Sequence, residues 1–267
     1  MSTDIDFSLV KRYFHISLEG MEHPLVEVEG TDLLDGGKLL PVLESGGRLV
    51  RATGLELPVS FAGMTLCNLC AVSLIFIVQY NRMPDLSLSN LTFQLESHGD
   101  HAHLGFQIKE ARYKDVPDKP GPEREAFIMR EWEPFIRESV APAIETIAGC
   151  AGLKPELVWG QFGAHMLRVK GMIAEMEKGE EALARLEHDY RVLTETVPAD
   201  WFNRRRNPFP HRPRFVESPY RPGEQWMIRS ACCMYYCREG GEKCFNCPRL
   251  TPDEREAMRE SIMAKSV

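Results

Sequence analysis

The sequence predicts an α+β fold: a small antiparallel sheet packed with helices, a helical second half, and a cysteine-rich C-terminal lobe. Three observations carry that expectation. A hairpin pattern occupies residues 91–108, helical periodicity dominates after the proline-rich stretch 113–122, and five cysteines crowd into residues 232–247. Strict alternation between turn residues marks strands. Apolar residues three and four apart mark helices.

The N-terminal part, 5–56, reads as short helices and loops. Asp32-Leu33-Leu34 opens an apolar run through Leu40, Leu43 and Leu49, interrupted by Gly36-Gly37 and Gly46-Gly47. Residues 57–81 then carry no charge, and Leu74 to Val78 are strongly apolar. Pro58, Ser60, Thr65, Asn68, Ser73 and Gln79 interrupt this stretch, so its fully apolar part is shorter than the ~20 residues a bilayer needs. A buried core helix over 58–80 is expected, stopped at Met83-Pro84-Asp85 because proline cannot continue it. Cys67 and Cys70 inside it form a CxxC. With no basic neighbour, they read as small apolar core residues rather than a redox pair.

The hairpin pairs Leu91–Leu95 with Ala102–Ile108 across Ser97-His98-Gly99-Asp100. It gathers His98, Asp100, His101 and His103. These residues suit either a metal site or a polar hairpin tip, and the tip is the simpler reading. Residues 113–122 form a linker. Trp132, Ile136, Val140, Ile144 and Ile147 then share one helical face, with Pro142 expected to kink the run. Gly152 is a stop signal, and Pro155-Glu156 opens the next helix, whose buried face carries Val158, Phe162, Val169 and Ile173. A further helix covers about 180–195. Prolines make 201–214 an extended loop, and a charged helix closes the chain from Pro252 to about Met263.

Charge divides the chain. Residues 1–200 hold 31 acids against 19 bases, a net of −12, while residues 201–267 hold 8 against 13, a net of +5. An acidic body, 1–200, therefore joins a basic loop and cysteine segment, 201–267, expected to form one compact domain overall. The basic part invites an anionic partner. The overall charge of −7 argues against a nucleic-acid binder. Arg204, Arg205, Arg206, Arg212 and Arg214 precede the cysteines. Guanidinium groups suit carboxylate or hydroxamate oxygens, so these five are candidate substrate-binding residues. The rival reading is a solvated loop that salt-bridges to the acidic body. The opening Met-Ser-Thr-Asp lacks a secretory pattern, so the expected setting is cytoplasmic, with at most peripheral membrane contact. In that reducing setting clustered cysteines read as metal ligands.

Cys232, Cys233, Cys244 and Cys247 follow the pattern C-C-x10-C-x2-C-P, and Cys237 lies between them. The CxxC half is a compact chelating pair used by zinc and iron–sulfur sites. Adjacent side chains in extended backbone point to opposite faces, so the backbone must turn if Cys232 and Cys233 are to serve one centre. A two-iron cluster tolerates adjacency better than one tetrahedral zinc, because its irons are separate acceptors. A [2Fe–2S] centre is therefore expected, with structural zinc or unliganded cysteines as rivals. Tyr235, Tyr236 and Phe245 are the expected apolar cover. Arg229, Arg238 and Lys243 are the expected counter-charges.

This pattern, flanked by Arg229 and Tyr235-Tyr236, resembles the ferric-siderophore reductase family typified by FhuF. Leu157-Val158-Trp159-Gly160 is similar to that family's Leu-Trp-Gly/Asn helix start, and the apolar helix plus hairpin at 58–108 fits its N-terminal half. The resemblance spans about residues 50–250 and concentrates in the last twenty. It implies a [2Fe–2S] cluster on Cys232, Cys233, Cys244 and Cys247, and one-electron reduction of a ferric siderophore. Cys237 departs from the pattern and is a possible substitute ligand. No G-x-G-x-x-G motif is present, so a nicotinamide or flavin site is unsupported. Electrons are expected from a separate ferredoxin, flavodoxin or NAD(P)H-dependent reductase. The alternatives are a non-enzymatic redox or iron sensor using the same cluster, and a zinc-stabilised binding module.

Overall fold

The computed structural model describes residues 5–99 and 101–265. The opening residues 1–4 and Asp100 of the expected hairpin tip lie outside the described residues. The fold is α+β. Its order is α1 (Ser8–Phe14), β1 (Ile16–Ser17), β2 (Pro24–Glu29), α2 (Gly36–Leu49), α3 (Glu56–Tyr80), β3 (Arg82–Pro84), β4 (Leu91–His98), β5 (His101–Ile108), β6 (Tyr113–Asp115), α4 (Pro122–Pro134), α5 (Ala141–Cys150), α6 (Glu156–Met176), α7 (Glu180–Arg191), β7 (Phe215–Glu217), β8 (Gln225–Met227) and α8 (Pro252–Lys265).

The main sheet has the order β1-β5-β4-β2. The expected hairpin is present, with Leu91 opposite Ile108 and His98 opposite His101. Two features differ from the sequence reading. Strand β2 occupies part of the segment read as loops and short helices, and pairs antiparallel with β4. Its outward Glu27 and Glu29 protect a sheet edge and hide the alternation of Val26 and Val28. The sheet is also mixed rather than wholly antiparallel, because β1 joins β5 in parallel. His15, in the left-handed region at φ 56°, turns the chain out of α1 and brings its carbonyl onto β5. A Cβ on Gly105 would sit 2.1 Å from that oxygen, so only glycine permits the approach. The expected linker also begins as a strand, with β6 pairing antiparallel to β3.

Helix α3 is the centre of the core. Its apolar window has a mean hydropathy of 2.2, long and apolar enough to cross a membrane, yet 83% of that window is buried inside the fold. The sheet, α2, α5, α6 and α7 cover it. Cys67 and Cys70 are fully buried there, and burial raises both thiols far above their usual range. Where α6 crosses α3, a Cβ on Gly63 would lie 2.3 Å from Val158 Cγ1.

The helical half follows its periodicity. Trp132, Ile136, Val140, Ile144 and Ile147 are all buried, as are Val158, Phe162, Val169 and Ile173. No break appears at Pro142. The chain widens into a π-helical turn at Phe135–Val140 and continues into α5, absorbing the gap that proline leaves in the hydrogen-bond ladder. Gly152 ends this run at φ 64°.

One charge pair ties the helices to the core. Arg124 and Asp189 are both fully buried. The guanidinium donates Nε to Asp189 Oδ1 at 2.7 Å and Nη2 to Asp189 Oδ2 at 2.6 Å. It also donates to the carbonyls of Ile77 (2.7 Å) and Pro117 (2.6 Å) and to Asn81 Oδ1 (2.7 Å). Ile77 belongs to the last turn of α3, whose carbonyls have no partner within the helix. Arg185 does the same for Val78 at 3.0 Å.

Candidate functional site

Helix α6 organises the C-terminal segment. Gly160 and Gly163 lie one turn apart on it. A Cβ on Gly160 would lie 3.0 Å from that of Ala231. One on Gly163 would lie 3.0 Å from His211 Cβ and 3.2 Å from the carbonyl oxygens of Pro208 and Pro210. The cysteine segment and the arginine loop therefore both lie directly on this helix. Ser230 Oγ accepts from the Ala164 amide at 3.2 Å. Ser60, at the start of α3, donates to the Cys233 carbonyl at 2.8 Å and accepts from Gln161 Nε2 at 3.0 Å.

The backbone turns directly after the adjacent cysteines. Met234 adopts φ 58°, and the Cys237 amide closes the turn onto the Met234 carbonyl at 2.8 Å. The CxxC is a second turn, with the Cys247 amide on the Cys244 carbonyl at 2.9 Å. The two turns face one another. Cys232 and Cys247 bring their sulfurs to 3.7 Å, and Cys233 and Cys244 lie close enough to shift one another's ionisation. The neighbours in sequence thus diverge, each meeting one thiol of the CxxC. Cys232 and Cys247 are buried with Leu250 in a small cluster of their own, flanked by Cys244, Met234, Tyr236 and Met258. Among the described residues, no three His, Cys, Asp or Glu side chains converge as ligands of a single ion.

Electrostatics distinguish Cys232, Cys233 and Cys244. The Cys244 side chain and then the Arg229 guanidinium hold Cys233 well below the usual thiol range. The Cys233 side chain raises Cys244 in turn. Burial pushes Cys232 up to about 11. Cys237 stands apart: its carbonyl accepts from the Thr53 amide at 3.1 Å.

The surrounding shell differs from the sequence expectation. Phe245 is buried, but Tyr235 is 36% exposed. Of the expected counter-charges, only Arg229 lies against the thiols. Arg238 donates to Tyr235 Oη at 2.7 Å and Lys243 to Glu254 at 3.2 Å. Arg229 Nε is buried and has no partner. Three residues not singled out in the sequence join it. Arg168 lies within electrostatic reach of Cys233 and Arg229, and buried His165 Nε2 is unpartnered. Arg255 of α8 donates to the Cys247 carbonyl at 2.8 Å. Spacing along the chain carries no signal for such contacts between distant segments.

A cavity of about 950 Å³ lies between α6 and the arginine loop and reaches the cysteine segment at Ser230. Arg204, Arg205 and Arg206 line it, together with Trp159 and Ser230. Arg204 is held by Glu145 and lies 3.9 Å from Glu156. Arg205 and Arg206 are exposed and make no ion pair among the described residues. Arg212 and Arg214 are exposed too, but outside the cavity lining.

The histidine-rich hairpin tip stacks rather than converges. His103 lies between His15 and His98, with ring centroids 4.4 and 5.0 Å apart.

Neither a scan of protein-family models nor a search of curated proteins finds a match to this chain.

Proposed function

We propose that this protein is a cytoplasmic ferric-siderophore reductase whose Cys232, Cys233, Cys244 and Cys247 hold a [2Fe–2S] cluster. The observation that carries this reading is the division of four thiols into two pairs, Cys232 with Cys247 and Cys233 with Cys244. Two sulfurs bonded at about 2.3 Å to one tetrahedral metal lie roughly 3.8 Å apart, close to the 3.7 Å between Cys232 and Cys247. Two pairs suit two metal acceptors. A single zinc asks four ligands to converge, which this arrangement does not favour.

When bound, the cluster supplies one electron at a time. The chain's own residues do the rest. Arg229 would offset thiolate charge, and its unpartnered Nε–H is a donor left over for the bound group. Buried Phe245 limits water on one side. The cavity that reaches Ser230 gives a chelate access to the cysteine segment. Siderophores present hard oxygen donors, which hold Fe(III) far more strongly than Fe(II). Adding one electron to Fe(III) yields labile Fe(II), and no proton transfer is required. A separate ferredoxin, flavodoxin or NAD(P)H-dependent reductase resupplies that electron.

The test is anaerobic purification followed by metal and sulfide analysis. About two irons and two acid-labile sulfides per chain are expected, with an EPR signal after dithionite reduction. The reduced protein is then mixed with ferric siderophores and a ferrous trap. Reoxidation with Fe(II) release supports the reading. Stoichiometric zinc without sulfide overturns the cluster. An intact cluster reoxidised no faster than the buffer control overturns the reductase and favours a sensor.

A further inference from the structure

Resting on the reductase reading, we propose that the cavity between α6 and the arginine loop selects anionic, carboxylate-bearing ferric chelates, with Arg205 and Arg206 as their ligands. The lining is unbalanced in a specific way. Three guanidiniums face two carboxylates, Glu156 and Asp200. Asp200 already pairs with Arg137 at 2.6 Å, from outside the cavity, and Arg204 is engaged by Glu145 and Glu156. With these outside partners counted, four guanidiniums meet three carboxylates, and Arg205 and Arg206 are the two without an ion pair among the described residues. Trp159 forms part of the wall beside them. Trp159 is 3% exposed, and its indole Nε1–H has no partner. Arg205 and Arg206 are the lining charges without a partner, so the occupant brings acceptors and negative charge.

Size and placement agree. A volume of about 950 Å³ is at the upper end for a small-molecule site, roughly 300–1,000 Å³, as a metal chelate requires. Arg205 and Arg206 present paired N–H donors that match carboxylate geometry. A chelate with a pendant ammonium group meets repulsion there instead. Ser230 lines the cavity only two residues before Cys232, so the bound complex lies beside the cysteine segment. The approach of the Pro208–His211 segment to Gly163 fixes the loop that carries both arginines.

Gallium(III) citrate is the probe, because Ga(III) mimics Fe(III) in size and charge but accepts no electron under these conditions. Binding to the full chain is followed by calorimetry at low salt. Saturable binding is expected, weakened at least about tenfold in Arg205→Ser/Arg206→Ser and strongly reduced by salt. Arg212→Ser/Arg214→Ser, outside the cavity, keeps the affinity within about twofold. A cationic gallium hydroxamate is expected to bind at least tenfold more weakly than the citrate complex. No saturable binding, equal affinity in the Arg205/Arg206 variant, or preference for the cationic complex overturns the proposal. Metal-free citrate is the control, and binding as tight as the gallium complex overturns recognition of a chelate. The two readings fail separately. Gallium citrate binding without reduction of ferric citrate sinks the reductase and leaves the site. Reduction of ferric hydroxamates without gallium citrate binding does the reverse.

Discussion

Replacing Asp189 by asparagine removes the charge that balances Arg124 while nearly preserving shape. Both side chains are fully buried, and the guanidinium makes two hydrogen bonds to the carboxylate and three elsewhere. Breaking a buried pair from one side leaves an uncompensated charge in a low-dielectric site, at a cost of about 3–5 kcal/mol. A chain of this size loses about 2 °C of melting midpoint per kcal/mol. Asp189→Asn is therefore expected to melt about 6–10 °C lower, read by scanning fluorimetry and confirmed by urea denaturation at constant slope. The double variant Arg124→Leu/Asp189→Leu removes both charges. It still strands the carbonyls of Ile77 and Pro117, each worth about 1–3 kcal/mol when buried without a donor. Those two carbonyls together cost about 2–6 kcal/mol, so removing the charge is not expected to restore full stability. A drop below about 2 °C for Asp189→Asn would refute the reasoning.

Three further expectations follow from the same geometry. Gly63→Ala should destabilise by about 1–3 kcal/mol through overpacking against Val158, although propensity alone favours alanine in a helix by about 1 kcal/mol; urea denaturation reads the sign. His165 is pushed down to about 3, by burial first and then by Arg168 and Arg229. Below about pH 6.5 the unfolded chain binds a proton that the folded one refuses, so stability falls as pH drops from there toward 3. His165→Gln is expected to flatten that fall, and a matching slope in both proteins would contradict the buried neutral imidazole. Cys237→Ser is expected to keep iron and sulfide, whereas Cys232→Ser loses them or changes the visible spectrum; the opposite pattern would reassign the ligands.

What the sequence by itself determined is what depends on neighbours along the chain. The apolar stretch at 58–80 is a helix because its composition leaves it no solvent face, and it lies at Glu56–Tyr80. The hairpin at 91–108 and the buried stripes of α4 to α6 follow from their periods, with Pro155 and Gly152 setting local boundaries. The cysteine motif was legible for the same reason, since its chelating spacing is a local property. Tertiary structure decided the rest. The parallel addition of β1 depends on a close approach between His15 and Gly105, 90 positions apart. The pairing of Arg124 with Asp189 joins residues 65 apart, and no period links them. Spacing along the chain brings Cys232, Cys233, Cys244 and Cys247 within reach of one another, but not into a particular pairing. That pairing comes from the turn at Met234 and from Ser60 and Gln161 fixing the Cys233 backbone. The five arginines looked equivalent in the chain. The fold spends Arg204 on acidic partners, leaves Arg212 and Arg214 outside, and points to Arg205 and Arg206 because Gly160 and Gly163 let their loop and the cysteine segment share one helix face.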